Sequence, residues 1–359
     1  MVSLFSPTAT GSVLPHLLLP TVQIFALALP PFPHRATLFV PIILVLILAT
    51  WANLCSDAVD LRSLMIGQWP WYLGTLEKLS FGLPEQDYWR VKGVPEYKAP
   101  PSKVAFLVER LKSLAICFVF IDMCNISGSY NSSYYFKPGV DPMNLTVRGA
   151  TIWRYAYIQL SMVCVLLGLG QPKDWPPLFG PFSQTYTLRR FWNTFWHQTA
   201  RHFLVSYSRD LKKLCGIEKG TWLSSYSELY FCFWLSGLFH GISTYAMPYA
   251  PNFDFHTRFT MWFNFMFFQA FAINFEDLVI WTYKRALENQ DLKAESSHKR
   301  VRTWQIIVGY LWVYIWWYWI DPWTMDPLIR LGITATNPLP FSVVGPILRL
   351  TGLDVFLKS

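Results

Sequence analysis

Long apolar runs are the feature that most restricts the fold of this chain. The clearest is residues 303–320, TWQIIVGYLWVYIWWYWI, which contains no Asp, Glu, Lys or Arg. A run of about 20 predominantly apolar residues has the length of an α-helix that crosses a lipid bilayer. Other apolar runs are residues 12–28, 36–51, 104–123, 150–170, 221–245 and 259–283. The pattern predicts an all-α, polytopic integral membrane bundle of about seven or eight transmembrane helices, with residues 338–356 as either the eighth span or a surface segment.

The overall composition favours the same class. Hydrophobic residues make up 53% of the chain and charged residues 14%, against about 25% charged in a typical soluble domain. The formal net charge of +8 is attributed to basic loops on one side of a membrane, so no nucleic-acid partner is expected. The six cysteines lack the paired spacing of a metal site, and we expect no metal.

Charge and glycosylation sequons predict one topology. The polar segments 56–103, 171–220 and 284–302 carry most of the basic residues, which is typical of cytosolic loops. The segment 125–147 contains three N-x-[ST] sequons, which predict glycosylation on the lumenal side. Their asparagines are Asn125, Asn131 and Asn144. The aromatic patch QWPWY at residues 68–72 is expected at the membrane interface.

His240 is the polar residue that most suggests chemistry. It lies within the apolar run 221–245, where an imidazole is costly and therefore a functional candidate. Ser236, Gly237, Ser243 and Thr244 share its helical face, so small side chains could leave room for a substrate beside the ring. The alternative is that SGLFHG is a small-residue seam for helix packing, with His240 hydrogen-bonded across it. The residues alone leave both interpretations open.

A desolvated histidine stays neutral and can act as a general base. An acyl transfer also needs a donor for the oxyanion. Upstream, Asn193, His197 and Arg201 follow one another at four-residue intervals, which predicts that one face of an amphipathic interfacial helix presents all three. The alternative is an ordinary interfacial helix with a basic face on anionic headgroups.

Two elements about 40 residues apart carry a family resemblance. They are FWNTFWHQ at residues 191–198 and SGLFH at residues 236–240. Together they resemble the wax-synthase-like branch of the membrane-bound O-acyltransferases, in particular its fungal members. The resemblance implies that His240 is the catalytic histidine. It implies a second essential residue at Asn193 if the W-N pair is aligned, or at His197 if the second tryptophan is aligned.

The resemblance implies transfer of an acyl group from acyl-CoA to a hydroxyl group. We expect acetyl-CoA as co-substrate, no permanently bound cofactor, and an apolar terpenoid or meroterpenoid alcohol as acceptor, within the lipid of the endoplasmic reticulum. Arg189, Arg190 and Arg201 are expected to hold the CoA phosphates. The chain is predicted to be one integral-membrane domain, 1–359, with its catalytic core in residues 171–244.

Three alternatives to this function remain at this point. The same chemistry with long-chain acyl-CoA and a fatty alcohol would make the protein a wax-ester synthase. A membrane transporter would use His240 and Glu228 to line a path, and would be expected to show repeated halves or broken spans. A membrane-bound terpene cyclase would rely on an acidic residue, for which Glu228 is the main deep carboxylate.

Overall fold

The computed structural model describes residues 14–30, 32–52, 69–81, 97–130, 143–197, 200–245, 253–289, 302–332 and 337–352. These residues are predominantly helical, and no β-strand occurs among them. The chain divides into two compact units. Unit 1 comprises Met1–Val91 and Gln198–Asn274, and unit 2 comprises Lys92–His197 and Phe275–Ser359.

Eleven α-helices longer than one turn are found in the described residues, with several single turns between residues 172 and 195. They are α1 Leu14–Ala28, α2 Arg35–Ala52, α3 Trp69–Phe81, α4 Lys103–Tyr130, α5 Met143–Leu166, α6 Arg201–Leu214, α7 Trp222–Tyr245, α8 Phe255–Asn289, α9 Thr303–Ile320, α10 Pro322–Arg330 and α11 Val344–Thr351. All seven apolar runs become helices. The all-α class is therefore confirmed.

Among the described residues, fewer helices are long and apolar enough to cross a bilayer than the seven or eight that the sequence pattern predicts. By length and composition, one helix in the described residues, His256–Ala286, is long and apolar enough to cross a bilayer. Leu14–Ala28 and Arg35–Thr50 are shorter apolar helices. The helix α9 is 18 residues long but rich in Trp and Tyr, which score as polar on hydropathy scales although they are common at membrane interfaces.

Helix α3 corrects the sequence analysis, which expected residues 56–103 to form a polar loop. Its buried apolar residues Trp69, Tyr72 and Leu79 are spaced by three and seven positions, so they lie on one face of the helix. Trp69 and Tyr72 are only 3% and 4% exposed. Residues 69–72 of the patch are therefore the start of a packed helix, in which Trp71 remains 68% exposed, and the interfacial position stays a prediction.

The core of unit 1 is formed by α1, α2, α3 and α6. Its buried side chains include Ile43, Trp69 and Phe203, with Leu235 and Phe239 of α7 packed against them. Gln23 on α1 donates to the Thr75 hydroxyl on α3 at 3.2 Å. The core therefore holds α3 against α6 and against α7, the helix that carries SGLFH.

In unit 2, α4 and α5 pack along each other around Ile121 and Ile158. Asp122 on α4 accepts hydrogen bonds from the backbone N–H groups of Val343 and Val344, both at 2.8 Å, at the start of α11. This eight-residue helix is about 12 Å long. It is too short to be an eighth span, which favours the surface alternative for the described part of this segment, residues 338–352.

Candidate functional site

His240 lies on α7 in unit 1, between two tryptophan rings. Its imidazole stacks on the indole of Trp262 from α8, with ring centroids 4.7 Å apart and planes 13° apart. The Trp69 ring from α3 meets it edge-on at 5.1 Å and 77°. We call Trp69 and Trp262 the aromatic slot of His240. The slot fixes the plane of the imidazole through two helices distant in sequence.

Trp69 is itself held on two further sides. It stacks on Phe239 at 5.6 Å and meets Phe203 edge-on at 5.8 Å. Phe203 is fully buried. Because Trp69 lies in a stretch expected to be a loop, sequence reasoning missed its contact with His240. The available signal was the helical spacing of Trp69, Tyr72 and Leu79.

Gly237 and Gly241 on either side of His240 form a close-packed seam with α8. A Cβ at Gly241 would lie 2.6 Å from Cδ2 of Phe259, and one at Gly237 would lie 3.0 Å from the Phe263 carbonyl oxygen. The expectation that small residues leave room for a substrate beside His240 is therefore wrong at Gly237, because α8 fills the space there. The packing seam is present, and it brings Trp262 to the ring.

The hydroxyl groups that follow His240 are engaged with the backbone. Ser243 donates to the Phe239 carbonyl at 2.7 Å, and Thr244 donates to the Gly241 carbonyl at 2.8 Å. Such bonds to carbonyls one turn back are the usual way in which an apolar helix satisfies a hydroxyl group. Ser243 and Thr244 do share the helical face of His240, as predicted, but their hydroxyl protons are donated to main-chain carbonyl groups.

Arg201 and its neighbours form a charged cluster elsewhere in unit 1. Burial lowers the pKa of Arg201, while Cys232 and Glu228 on α7 act in the opposite direction. Lys212 on α6 pairs with Glu228 at 2.5 Å and also donates to the Ser224 hydroxyl. The pairing with Lys212 gives the Glu228 carboxylate a partner, so neither a transport path nor a cyclase acid is needed to explain its position.

A fully buried carboxylate meets a histidine in the same unit. Glu77 of α3 is fully buried, and its Oε2 lies 3.0 Å from Nδ1 of His202 on α6. The sequence analysis assigned no role to either residue. Their contact joins the two helices that supply Trp69 and Phe203.

The segment that carries Asn193 and His197 belongs to unit 2 and is not the continuous helix that the spacing predicts. The single turn Leu188–Arg190 widens into a π-helical turn, Phe191–Phe195, closed by a 2.8 Å bond from the Trp196 N–H to the Phe191 carbonyl. Trp196 then adopts extended backbone angles (φ −61°, ψ 146°). The chain leaves the helix before His197, so the prediction of one face presenting Asn193, His197 and Arg201 is wrong.

His197 lies among aromatic rings. It stacks on Trp153 of α5 at 5.7 Å and 8°, with Trp196 at 5.2 Å and Phe179 at 6.2 Å. Burial lowers the pKa of His197 to about 4. The imidazole is therefore neutral near pH 7, which suits a hydrogen-bonding role rather than that of a fixed cation.

A carboxylate from α8 anchors the start of this segment. Glu276 accepts hydrogen bonds from the backbone N–H groups of Leu188 at 2.7 Å and Arg189 at 3.2 Å, and from the Trp312 indole at 3.1 Å. A carboxylate at the N-terminus of a helical turn is electrostatically favourable. The contact therefore holds the start of the turn Leu188–Arg190, which leads into the π-helical turn.

The predicted phosphate-binding arginines already have contacts within unit 2. Arg189 is paired with Asp277, its Nε donating at 3.0 Å. The guanidinium of Arg190 lies 4.7 Å from the centre of the Tyr186 ring. Binding of a CoA phosphate by Arg189 would have to share that group with Asp277, and the assignment remains a prediction.

The predicted glycosylation segment 125–147 is partly helical. Asn125 lies within α4, where its Oδ1 accepts from Arg148 and its Nδ2 donates to Asn337 at 2.7 Å. Modification of that nitrogen would break the second bond, so we no longer expect it there. Asn144 lies in the first turn of α5, and Asn131 lies outside the described residues. Glycosylation at these two positions remains a prediction.

The predicted site residues therefore fall into two groups. His240 and Arg201 belong to unit 1, whereas Asn193, His197, Arg189 and Arg190 belong to unit 2. In the described residues, no group of three or more His, Cys, Asp or Glu side chains forms a metal-binding cluster.

Comparison with known proteins gives one family match. Residues 175–268 match the membrane bound O-acyl transferase family. This segment contains both motif elements, all of α7, and Trp262. No solved structure matches the chain.

Several curated fungal proteins are similar over a longer region. Acetyltransferase spyB of Aspergillus fumigatus is 28% identical over 64% of this chain and 43% of its own length. Acetyltransferase aurG of Calcarisporium arbuscula is 27% identical over 72% of this chain and 65% of its own. Acetyltransferase TRI7 of Fusarium sporotrichioides is 29% identical over 52% of this chain and 41% of its own. The matched region thus spans about half the length of these relatives.

Proposed function

We propose that this chain, a member of the membrane bound O-acyl transferase family by its residues 175–268, transfers an acetyl group from acetyl-CoA to the hydroxyl group of an apolar, terpenoid-type alcohol in fungal secondary metabolism. One observation carries the proposal. The family match covers α7, and on that helix the one histidine is clamped in a slot of two tryptophans. The names of the similar proteins favour acetyl over a long acyl chain.

In the proposed reaction, His240 acts as the general base. Its imidazole takes the hydroxyl proton as the alcohol oxygen attacks the thioester carbon, and a tetrahedral oxyanion forms. When the C–S bond breaks, the imidazolium returns the proton to the CoA sulfur. The ester and free CoA are the products, and no redox partner or metal is needed. Because the aromatic slot holds the ring, the base requires little reorientation during the reaction.

We further propose that the protein is a multi-pass protein of the endoplasmic reticulum membrane. Support comes from the large apolar side chains that the helices expose. On α9, Val313, Trp317 and Ile320 are buried, whereas Ile307, Leu311 and Ile315 are each more than half exposed. Soluble proteins rarely expose such contiguous apolar surface. In a bilayer the same surface contacts lipid, and the basic polar segments would lie on the cytosolic side.

The test of the proposed activity uses microsomes that contain the full chain, with empty-vector microsomes as control. Each is given radiolabelled acetyl-CoA or palmitoyl-CoA and a panel of terpenoid and fatty alcohols. We expect ester labelled from acetyl-CoA, with a terpenoid alcohol, only where the chain is present. Preferential use of palmitoyl-CoA with fatty alcohols would support the wax-ester alternative. No labelled ester from either donor would contradict the proposal.

A further inference from the structure

We propose that the indole N–H of Trp262 donates the hydrogen bond that stabilises the oxyanion formed beside His240. The inference rests on the proposed acyl transfer and assigns the oxyanion donor to a residue other than Asn193 and His197, the two candidates for the second essential residue. Trp262 belongs to α8, in the same unit as His240.

The first observation is a buried donor. Trp262 is 8% exposed, and its Nε1 has no hydrogen-bond acceptor among the described residues. Burying an N–H group without an acceptor costs free energy, so native proteins rarely keep one without a reason. A ligand that brings its own oxygen to this position would supply the missing acceptor.

The second observation is where this donor lies. The indole is stacked on the His240 imidazole at 4.7 Å and 13°, so its N–H lies in the layer next to the base. In the tetrahedral intermediate, the alcohol oxygen that gave its proton to the imidazole is bonded to the attacked carbon. The oxyanion is bonded to the same carbon, so the two oxygens are two bonds apart. A donor in the adjacent layer is therefore within reach of the oxygen on which negative charge develops.

The third observation is that Trp262 is held rigidly, whereas the nearby hydroxyls are directed elsewhere. The ring meets Phe265 edge-on at 6.1 Å, and α8 is docked on α7 at Gly237 and Gly241. Ser243 and Thr244 donate to main-chain carbonyls. A donor fixed before the reaction stabilises an oxyanion without reorganisation, which is the condition for a large catalytic effect.

The test removes the N–H group and keeps the ring. Trp262→Phe preserves an aromatic ring against His240, and replacement of Trp262 by 3-benzothienylalanine preserves the bicyclic shape with sulfur in place of N–H. Trp234→Phe is the matched control, because Trp234 is on α7 but 42% exposed. Each variant is compared with wild type in the acetyl transfer assay, with kcat and KM for acetyl-CoA measured separately and the unfolding temperature recorded in detergent.

We expect both Trp262 replacements to lower kcat by about 10²–10³-fold, with KM within about threefold of wild type, and the Trp234 variant to stay within about twofold. A benzothienylalanine variant that folds like wild type and keeps its kcat would overturn the assignment while leaving acyl transfer intact. Turnover that survives His240→Ala in the same preparation would overturn the proposed role of His240, and this inference with it.

Discussion

At the scale of single residues, aromatic rings surround the histidines of both family motifs, His240 and His197. His240 is held by Trp69 and Trp262, and His197 lies against Trp153, Trp196 and Phe179. Around His197 the rings exclude water without supplying a counter-charge, so the neutral imidazole is favoured there. For His197 the effect is large, since burial lowers its pKa to about 4.

This shift predicts a pH-dependent stability. In the unfolded chain His197 binds a proton near pH 6.5, whereas the folded protein resists protonation until about pH 4. The unfolded state therefore binds more protons between these values, and the free energy of unfolding falls as the pH is lowered from 6.5 to 4. The full contribution is roughly 3 kcal/mol.

Thermal unfolding in detergent across this range is the measurement. His197→Gln should show a shallower pH dependence than wild type, whereas His256→Gln, at an exposed position of α8, should follow the wild-type curve. Parallel curves for all three proteins would show that the environment of His197 does not depress its pKa.

At the scale of elements, the seam between α7 and α8 positions the slot. Gly237 and Gly241 let the α8 backbone approach closely, and this approach delivers Trp262 to His240. Separately, Glu276 accepts from the N–H groups of Leu188 and Arg189 and holds the start of the turn that precedes the π-helical turn. Helix-to-helix distance is therefore as important to the proposed chemistry as residue identity.

Gly241→Ala tests this dependence. Its Cβ would lie 2.6 Å from Cδ2 and 3.0 Å from the carbonyl oxygen of Phe259, so α7 and α8 must separate. We expect a loss of roughly 1–3 kcal/mol in the free energy of unfolding and a fall in acyl transfer. The matched control is Gly149→Ala on α5, where a Cβ meets nothing within 4 Å. In that helix interior alanine should be neutral or stabilising by up to about 1 kcal/mol. Equal stability of the two variants would contradict the close approach.

Some helices could be predicted from the sequence and others could not, and the reasons are physical. The apolar runs marked the helices, and α9 has the boundaries of the run at residues 303–320, because hydrophobicity is local information. Helix α3 was missed because its charged and proline-rich surroundings obscured the spacing of Trp69 and Tyr72. The break in the helix at Trp196 was missed because the four-residue interval from Asn193 to His197 is the spacing of an α-helix. The π-helical turn depends on packing, which that interval does not reveal.

At the scale of the whole molecule, the proposed chemistry involves a small part of a predominantly helical chain. The family match covers residues 175–268, and the slot tryptophan Trp69 lies outside it. That residue shows that helices beyond the matched segment contribute to the surroundings of His240. The motifs alone do not predict which side chains contact His240, because Trp69 and Trp262 are distant from it in sequence.

The most direct test of the account compares His240→Ala with His256→Ala in the acetyl transfer assay. His256 is an exposed histidine of the same unit, so its replacement controls for loss of an imidazole in general. With a general base removed, we expect turnover by His240→Ala to fall by about 10²-fold or more, at wild-type levels of membrane-inserted protein, and His256→Ala to retain wild-type turnover. A His240→Ala protein with undiminished kcat would contradict the central claim that the histidine in the aromatic slot is the base of an acyl transfer.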